Sequence, residues 1–129
     1  MAANKEVFQS ASLPRVLPFS SAVRGGDTLY VSGNLGNVPG KFELVAGGVA
    51  AQTRQALDNI RESLAVAGSS LDRVVKCTVF LADMADFQAM NEAYREFFPI
   101  DPPARTTVGV KALAMNARVE IECIALAGN

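Results

Sequence analysis

The stretch that decides the fold of this chain runs from Pro103 to Leu126 and reads PARTTVGVKALAMNARVEIECIAL. Side chains alternate in character with a period of two residues in both halves of this stretch, which is typical of β-strands. We therefore predict two strands, each with one face buried against the remainder of the chain. The predicted buried faces comprise Thr106, Val108, Val110 and Ala112 in the first strand, and Val119, Ile121, Cys123 and Ala125 in the second.

The opposite faces of these strands carry the charged side chains. They comprise Arg105, Thr107, Gly109 and Lys111 in the first strand, and Arg118, Glu120 and Glu122 in the second. Arg105 allows two interpretations: a solvated strand arginine with a weak surface salt bridge, or a clamp for a small carboxylate through its planar fork of donors. The pattern alone favours the solvated arginine, since most charged strand residues are exposed.

The rest of the chain supplies further strands and two amphipathic helices. The predicted elements are a short strand at Val7–Ser10, a hairpin of Ser20–Arg24 and Thr28–Gly33, a helix at Val49–Ala67, a strand at Arg73–Leu81 and a helix at Met84–Phe98. Each helix connects strands that can be parallel, through right-handed crossovers onto one sheet face. The order predicts an α+β fold of two layers, one mixed β-sheet with two helices on one face, in a single domain over residues 1–129.

The second face of the predicted sheet has no helix left to cover it. Tyr30 and Phe80 lie on this face, and an uncovered, partly apolar sheet face indicates self-association. On the strand at Arg73–Leu81, the other face is expected to carry Val75, Cys77, Val79 and Leu81. Cys77 and Cys123 both lie on apolar strand faces, which predicts buried, reduced thiols and no disulfide.

The composition excludes several function classes. The 129 residues contain no histidine, which excludes Ser-His-Asp and Cys-His catalysis and argues against a zinc site. The net charge of −1 and a pI near 5.4 give no basic tract for nucleic acid or an anionic membrane. Residues Met1–Ser10 lack an apolar leader core, so we expect a cytoplasmic protein.

Residues 103–108, PARTTV, followed by residues 119–125, VEIECIA, resemble the C-terminal signature of the RidA/YjgF family of reactive-intermediate (enamine/imine) deaminases. The resemblance covers nearly the whole chain. It implies a chorismate-mutase-like (YjgF-like) fold, assembled as a homotrimer with clefts between adjacent subunits. It also implies that Arg105 holds the substrate carboxylate, which reverses the preference above, and that Glu120 holds or activates water.

Further site positions follow from the same resemblance. Ser32, Gly33 and Asn91 match polar or backbone-approach positions of the family. Phe19, in Leu17-Pro18-Phe19-Ser20, replaces a tyrosine that faces the cleft, Thr107 stands where many members have cysteine, and Asn34 replaces a usual glutamine. The resemblance thus implies a substrate-binding set of Phe19, Ser32, Gly33, Asn91 and Thr107, while the departures leave substrate range and turnover open.

The distance between Arg105 and Glu120 constrains the site. If the last two strands formed a simple hairpin, Glu120 would lie opposite Gly109 or Lys111, with Arg105 roughly 13–20 Å away. One small substrate would not reach both side chains. Either the two strands are not paired in this way, or another chain completes the site.

The leading hypothesis is hydrolytic deamination of small reactive 2-imino or enamine acids to 2-keto acids plus ammonia. No metal or organic cofactor is required, because imines are already electrophilic and positioning suffices. One alternative is an endoribonuclease or translation inhibitor, an activity also attached to this family, against which the acidic pI and missing histidine weigh. The other is a non-catalytic, ligand-binding or chaperone-like trimer.

Overall fold

The computed structural model describes residues 5–14 and 16–128. Within them the chain forms strands β1 Lys5–Phe8, β2 Ala22–Gly25 and β3 Thr28–Leu35, helix α1 Gly48–Val66, strand β4 Val74–Leu81, helix α2 Phe87–Arg95, and strands β5 Ala104–Gly109 and β6 Val119–Leu126. The segment judged from sequence to lack a leader core, Met1–Ser10, lies partly outside the described residues. Among the described helices, none has the length and apolar character needed to cross a bilayer.

The strands form one mixed sheet in the order β1-β2-β3-β6-β4-β5. Strands β4 and β5 are parallel, and the other neighbouring pairs are antiparallel. The predicted α+β fold is therefore confirmed, as is the hairpin between β2 and β3. Strands β5 and β6 are not paired as a hairpin, because β4 lies between them.

The helices bury one face of the sheet. As expected of an amphipathic helix, α1 buries one apolar stripe, which includes Ala56, Leu57, Ile60 and Leu64. The helix packs on β3 and β6. The second helix is shorter than predicted. Residues 84–86 form a 3₁₀ turn capped by Asp83, whose Oδ1 accepts a hydrogen bond from the amide of Ala85 at 2.9 Å. The α-helix proper begins only at residue 87.

The predicted buried face of β5 is wrong. Thr106 and Val108 are exposed, Val108 by 38%, whereas Arg105 and Thr107 are partly buried. Paired residues of neighbouring strands share a sheet face. Arg105 pairs with Cys77, which is fully buried on the helix side, so the arginine points under α2.

One residue of β4 also departs from the expected face. Val75 is 45% exposed, whereas Val74 is buried. The register between β4 and β6 shifts between residues 74 and 76, and such a bulge moves one extra side chain to the other face. The remaining predicted core positions of β4, Cys77, Val79 and Leu81, are fully buried.

The second face of the sheet has no helix over it in the described chain, as predicted. Tyr30, 54% exposed, lies there together with the partly exposed Phe80 and Ile124. Large apolar side chains on an open sheet face are typical of a surface that another chain covers.

Candidate active site

Arg105 is held against the aromatic side of α2. Its guanidinium carbon lies 4.7 Å from the ring centroid of Tyr94 and 5.8 Å from that of Phe87. Its Nη1 lies 3.9 Å from the sulfur of Met90. Among residues 5–14 and 16–128, no carboxylate lies within salt-bridge distance of Arg105. The guanidinium is therefore oriented by stacking, and its forked donor edge is free of an internal carboxylate.

A pocket of about 260 Å³ opens beside this guanidinium. Its lining comprises Asn91, Tyr94, Arg95, Phe98, Pro102 and Arg105. We call it the arginine pocket. The Oδ1 atom of Asn91 and the hydroxyl of Tyr94 are buried without a hydrogen-bond partner in the described chain, and so is the hydroxyl of Thr107 on the same face of β5. Each unpaired buried polar group costs about 1–3 kcal/mol, so this region favours a polar ligand or water.

The tyrosine and thiols around the arginine pocket stay protonated at neutral pH. Burial raises the pKa of the Tyr94 hydroxyl far above its usual range, and the adjacent Cys77 thiol raises it further. Burial also raises the pKa of Cys77, although Tyr94 and Arg105 offset part of that rise. The Tyr94 hydroxyl and the Cys77 thiol are neighbours but do not meet hydrogen-bond geometry. None of these groups is placed to act as a thiolate or phenolate.

Glu120 lies on the other face of the sheet, on β6, where it pairs with Leu35 of β3 and Phe80 of β4. A Cβ atom on Gly33 would overlap the Glu120 carboxylate, so a larger residue at this position would displace the carboxylate from its present place. Partial burial raises the pKa of the Glu120 carboxyl above its usual value, and the like charge of Glu122 raises it further. The carboxyl is thereby moved toward the pKa range of a general base at neutral pH.

A second pocket of about 260 Å³ contains this carboxylate. Its lining is otherwise mainly apolar and comprises Leu13, Pro14, Leu17, Phe19, Gly33, Leu35, Asn37, Lys41, Phe42, Ala114, Met115 and Glu120. We call it the glutamate pocket. Phe19 lies here, at the position where the resemblance implies a tyrosine, so this wall of the pocket lacks a hydroxyl group.

Ser32 lines neither pocket. Its hydroxyl donates to the carbonyl of Ser20 at 2.6 Å, and its amide donates to the carbonyl of Ser21 at 3.0 Å. Both bonds connect β3 to the segment that enters β2. Asn34, which follows the bulge in β3, is fully buried and donates to the carbonyl of Ser32 at 2.8 Å. These residues therefore shape the strand that carries Gly33.

The structure divides the implied site residues into two groups. Phe19, Gly33 and Glu120 line the glutamate pocket, whereas Asn91 and Arg105 line the arginine pocket. Phe80 pairs with both Glu120 and Val108, which places Glu120 two strands across and three residues along from Arg105. Their Cα atoms are thus roughly 14 Å apart, on opposite faces of the sheet. A single protomer does not present both side chains to one small molecule.

The predicted site lacks several residues that line these pockets, among them Tyr94 and Phe42. Tyr94 stacks on Arg105, and the signal that could have indicated it is its spacing with Phe87, seven residues apart on one helix face. Phe42 lies in a loop without periodicity, and nothing in the sequence pattern indicated it.

In the described residues, no group of three or more Cys, Asp or Glu side chains is arranged to hold a metal ion.

Comparison with known proteins agrees with this architecture. The family model described as Endoribonuclease L-PSP matches residues 9–127. A Bos taurus protein named 2-iminobutanoate/2-iminopropanoate deaminase is 44% identical over 125 residues, which cover 96% of this chain and 91% of that protein. Reactive Intermediate Deaminase A, chloroplastic, from Arabidopsis thaliana is 43% identical over 122 residues, 94% of this chain but only 65% of that protein.

A solved structure gives the same result for the fold. The crystal structure of E. coli TdcF with bound serine superposes with a TM-score of 0.87 at 31% identity, covering 95% of this chain and 99% of that one. The family match and the curated relatives each extend over nearly all of the described residues. The chain therefore belongs to the RidA/YjgF family and is similar along most of its length to enzymes named 2-iminobutanoate/2-iminopropanoate deaminase.

Proposed function

We propose that this protein is a hydrolytic deaminase of small 2-imino acids and their enamine tautomers. One water adds across the carbon–nitrogen double bond, and the products are a 2-keto acid and ammonia. The names of several curated relatives support this activity over RNA cleavage, because the Bos taurus and Homo sapiens proteins, which match over most of both chains, are named for imino-acid deamination. We also propose a cytoplasmic location, although one relative is named as chloroplastic.

The observation that carries the proposal is the state of Arg105. Its guanidinium is stacked on Tyr94, borders a pocket and has no carboxylate partner among the described residues. A partly buried cation without an anion is an unusual arrangement, since its desolvation is offset by stacking alone. A substrate carboxylate supplies the missing anion through two parallel hydrogen bonds.

Glu120 positions and activates the water. Its carboxylate accepts a proton as the water oxygen attacks the imine carbon. The protonated Glu120 then passes this proton to the substrate nitrogen, which gives a carbinolamine. Transfer of the remaining hydroxyl proton to the same nitrogen, again through Glu120, breaks the carbon–nitrogen bond, forms the keto group, releases ammonia and leaves Glu120 as a carboxylate. The raised pKa of Glu120 makes it a stronger base than an ordinary exposed glutamate.

The complete site lies between subunits of a homotrimer in this proposal. The arginine pocket of one subunit faces the glutamate pocket of the next, because one protomer separates them across its sheet. The exposed apolar residues on the open sheet face, such as Tyr30, support assembly through that face. TdcF, a relative with 31% identity, is described with bound serine, which is a small molecule bearing a carboxylate.

The remaining site residues take supporting roles. Asn91 offers an unpaired Oδ1 as acceptor for the substrate N–H, and the hydroxyl of Thr107 lies on the same strand face as Arg105. Gly33 leaves room for the Glu120 carboxylate, and Phe19 lines its pocket. Ser32 acts through its hydrogen bonds to the β2 entry segment.

An ammonia-release assay tests the proposal directly. An amino-acid oxidase with catalase generates the 2-imino acid in place, and the protein should accelerate its conversion to keto acid and ammonia. The Arg105→Ala variant should remove the acceleration while the assembly stays intact. Absence of any acceleration over several amino acids would leave the ligand-binding alternative, and cleavage of RNA by the same preparation would favour the ribonuclease.

A further inference from the structure

The glutamate pocket has one wall formed by a loop, residues 37–45, which we call the wall loop. Lys41 and Phe42 of this loop line the pocket. The Phe42 side chain is 60% exposed overall, so it lies over the pocket as a rim and not as part of the protein core. An exposed aromatic residue in this place adjoins the space where a substrate side chain would lie.

Buried hydrogen bonds hold the wall loop in one shape. The Nδ2 atom of Asn37 donates to the carbonyls of Ser12 at 3.0 Å, Val38 at 3.1 Å and Lys41 at 3.4 Å. The amide of Gly40 also donates to the carbonyl of Ser12, at 3.0 Å. The loop is therefore hydrogen-bonded both within itself and to the segment that contributes Leu13 to the lining of the pocket.

Asn59 of α1 holds the wall loop in place through further hydrogen bonds. Its side chain is 1% exposed, and its Nδ2 donates to the Asn37 carbonyl and to Asn37 Oδ1, each at 3.1 Å, and to the carbonyl of Leu35 at 3.2 Å. Because Asn37 Oδ1 accepts from Asn59, the Asn37 amide nitrogen is directed toward the loop. Removal of Asn59 would leave buried carbonyl groups without a donor and would free the loop.

We infer that the wall loop selects the substrate side chain, with Phe42 as a specificity-determining residue and Asn59 as a positioning residue that acts through it. The inference rests on the proposed function. The lining beside Glu120 is mainly apolar, so the favoured substrates are 2-imino acids with apolar side chains.

The first test is a chain-length series. The imino acids derived from alanine, 2-aminobutyrate, norvaline and norleucine add one methylene at each step. We expect kcat/KM to rise by about fourfold per methylene in the native protein. In Phe42→Ala, the rise in kcat/KM should fall to about twofold or less per methylene. The variant should fold, because Phe42 is exposed. Ile100→Ala, which removes an exposed side chain outside both pockets, is the matched control and should keep the full dependence.

The second test asks whether Asn59 acts through Phe42. Asn59→Ala should flatten the chain-length dependence as Phe42→Ala does, and the double variant should behave like Phe42→Ala alone. Ser63→Ala is the control, because Ser63 is equally buried on α1 but its hydroxyl has no partner in the described chain. Additive effects in the double variant would overturn the positioning role. If Asn59→Ala does not fold, Asn37→Ala takes its place in the same cycle.

A binding series separates this inference from the proposed function. Pyruvate, 2-oxobutanoate, 2-oxopentanoate and 2-oxohexanoate are titrated calorimetrically into the native protein and Phe42→Ala. Tighter binding with each methylene, lost in Phe42→Ala, supports the inference even where no imino acid is hydrolysed. A flat dependence in both turnover and binding overturns the inference, and leaves the proposed deaminase standing if ammonia release is still accelerated.

Discussion

Two inactive variants should restore activity when they assemble together. Arg105→Ala removes the carboxylate anchor from the arginine pocket, and Glu120→Gln removes the base from the glutamate pocket without changing side-chain size. If each site joins the two pockets from different subunits, a mixed trimer contains some sites with both native residues. Such sites would hydrolyse imino acids although neither variant does so alone.

The expected recovery of activity follows from the fraction of complete sites in the mixed trimers. In an equal mixture, half of the subunits carry a native Arg105 and half carry a native Glu120. A site draws one residue from each of two neighbouring subunits, so about a quarter of the sites should be complete. Each variant alone should lose on the order of a hundredfold in kcat/KM, since a charge-assisted hydrogen bond contributes about 1.5–3 kcal/mol and correct positioning adds to it. The recovered activity should therefore stand well above the background.

The assay is ammonia release after the two variants are unfolded, mixed and refolded together. The recovery should be greatest for an equal mixture and should fall on either side of it. Asn91→Ala provides the control, because Asn91 lies in the same pocket as Arg105. It should complement Glu120→Gln but not Arg105→Ala. A mixture of Arg105→Ala and Glu120→Gln that regains nothing, while each remains trimeric, would refute the shared site.

Further predictions concern single groups. Arg105→Lys should rescue only part of the activity lost in Arg105→Ala, since a point charge does not reproduce two parallel hydrogen bonds; kcat/KM of the three proteins decides this. Light scattering at micromolar concentration should give a trimer mass, and a monomer mass would contradict the shared site. Activity should decline as the pH falls through the raised pKa of Glu120, because the base is then protonated. Glu122→Gln should move this decline to lower pH, because it removes a like charge beside Glu120. If Glu122→Gln leaves the pH profile of kcat/KM unchanged, Glu120 is excluded as the titrating group. Cys77 and Cys123 are buried with raised pKa values, so a thiol reagent should label them only after unfolding; rapid labelling of the native protein would contradict this.

The sequence predicted the elements well where periodicity was strong. The apolar stripe on α1 and the apolar face of β6 are both buried as expected, because several large apolar side chains lie on the same face of each element. For strand β5, the periodicity predicted the wrong buried face. Its alternating residues are mostly small or polar, so either face could be turned inward, and pairing with β4 under α2 decided the outcome.

The site was predictable in part. The resemblance supplied Arg105, Glu120 and Gly33, and the structure places each of them in or beside a pocket. It did not reveal that the pockets lie on opposite sheet faces, because that depends on β4 being inserted between β5 and β6. Phe42 and its hydrogen-bonded support depend on contacts between distant segments, which a local pattern does not encode.

The position of the two pockets on opposite sides of one sheet has a consequence for regulation by mass action. Under the proposed assembly, a lone subunit carries both halves of the chemistry and yet has no working site. Specific activity would then depend on chain concentration, falling on dilution below the dissociation constant of the trimer. A cell could silence the activity by keeping the chain dilute, and newly made subunits would remain inert until they meet their partners.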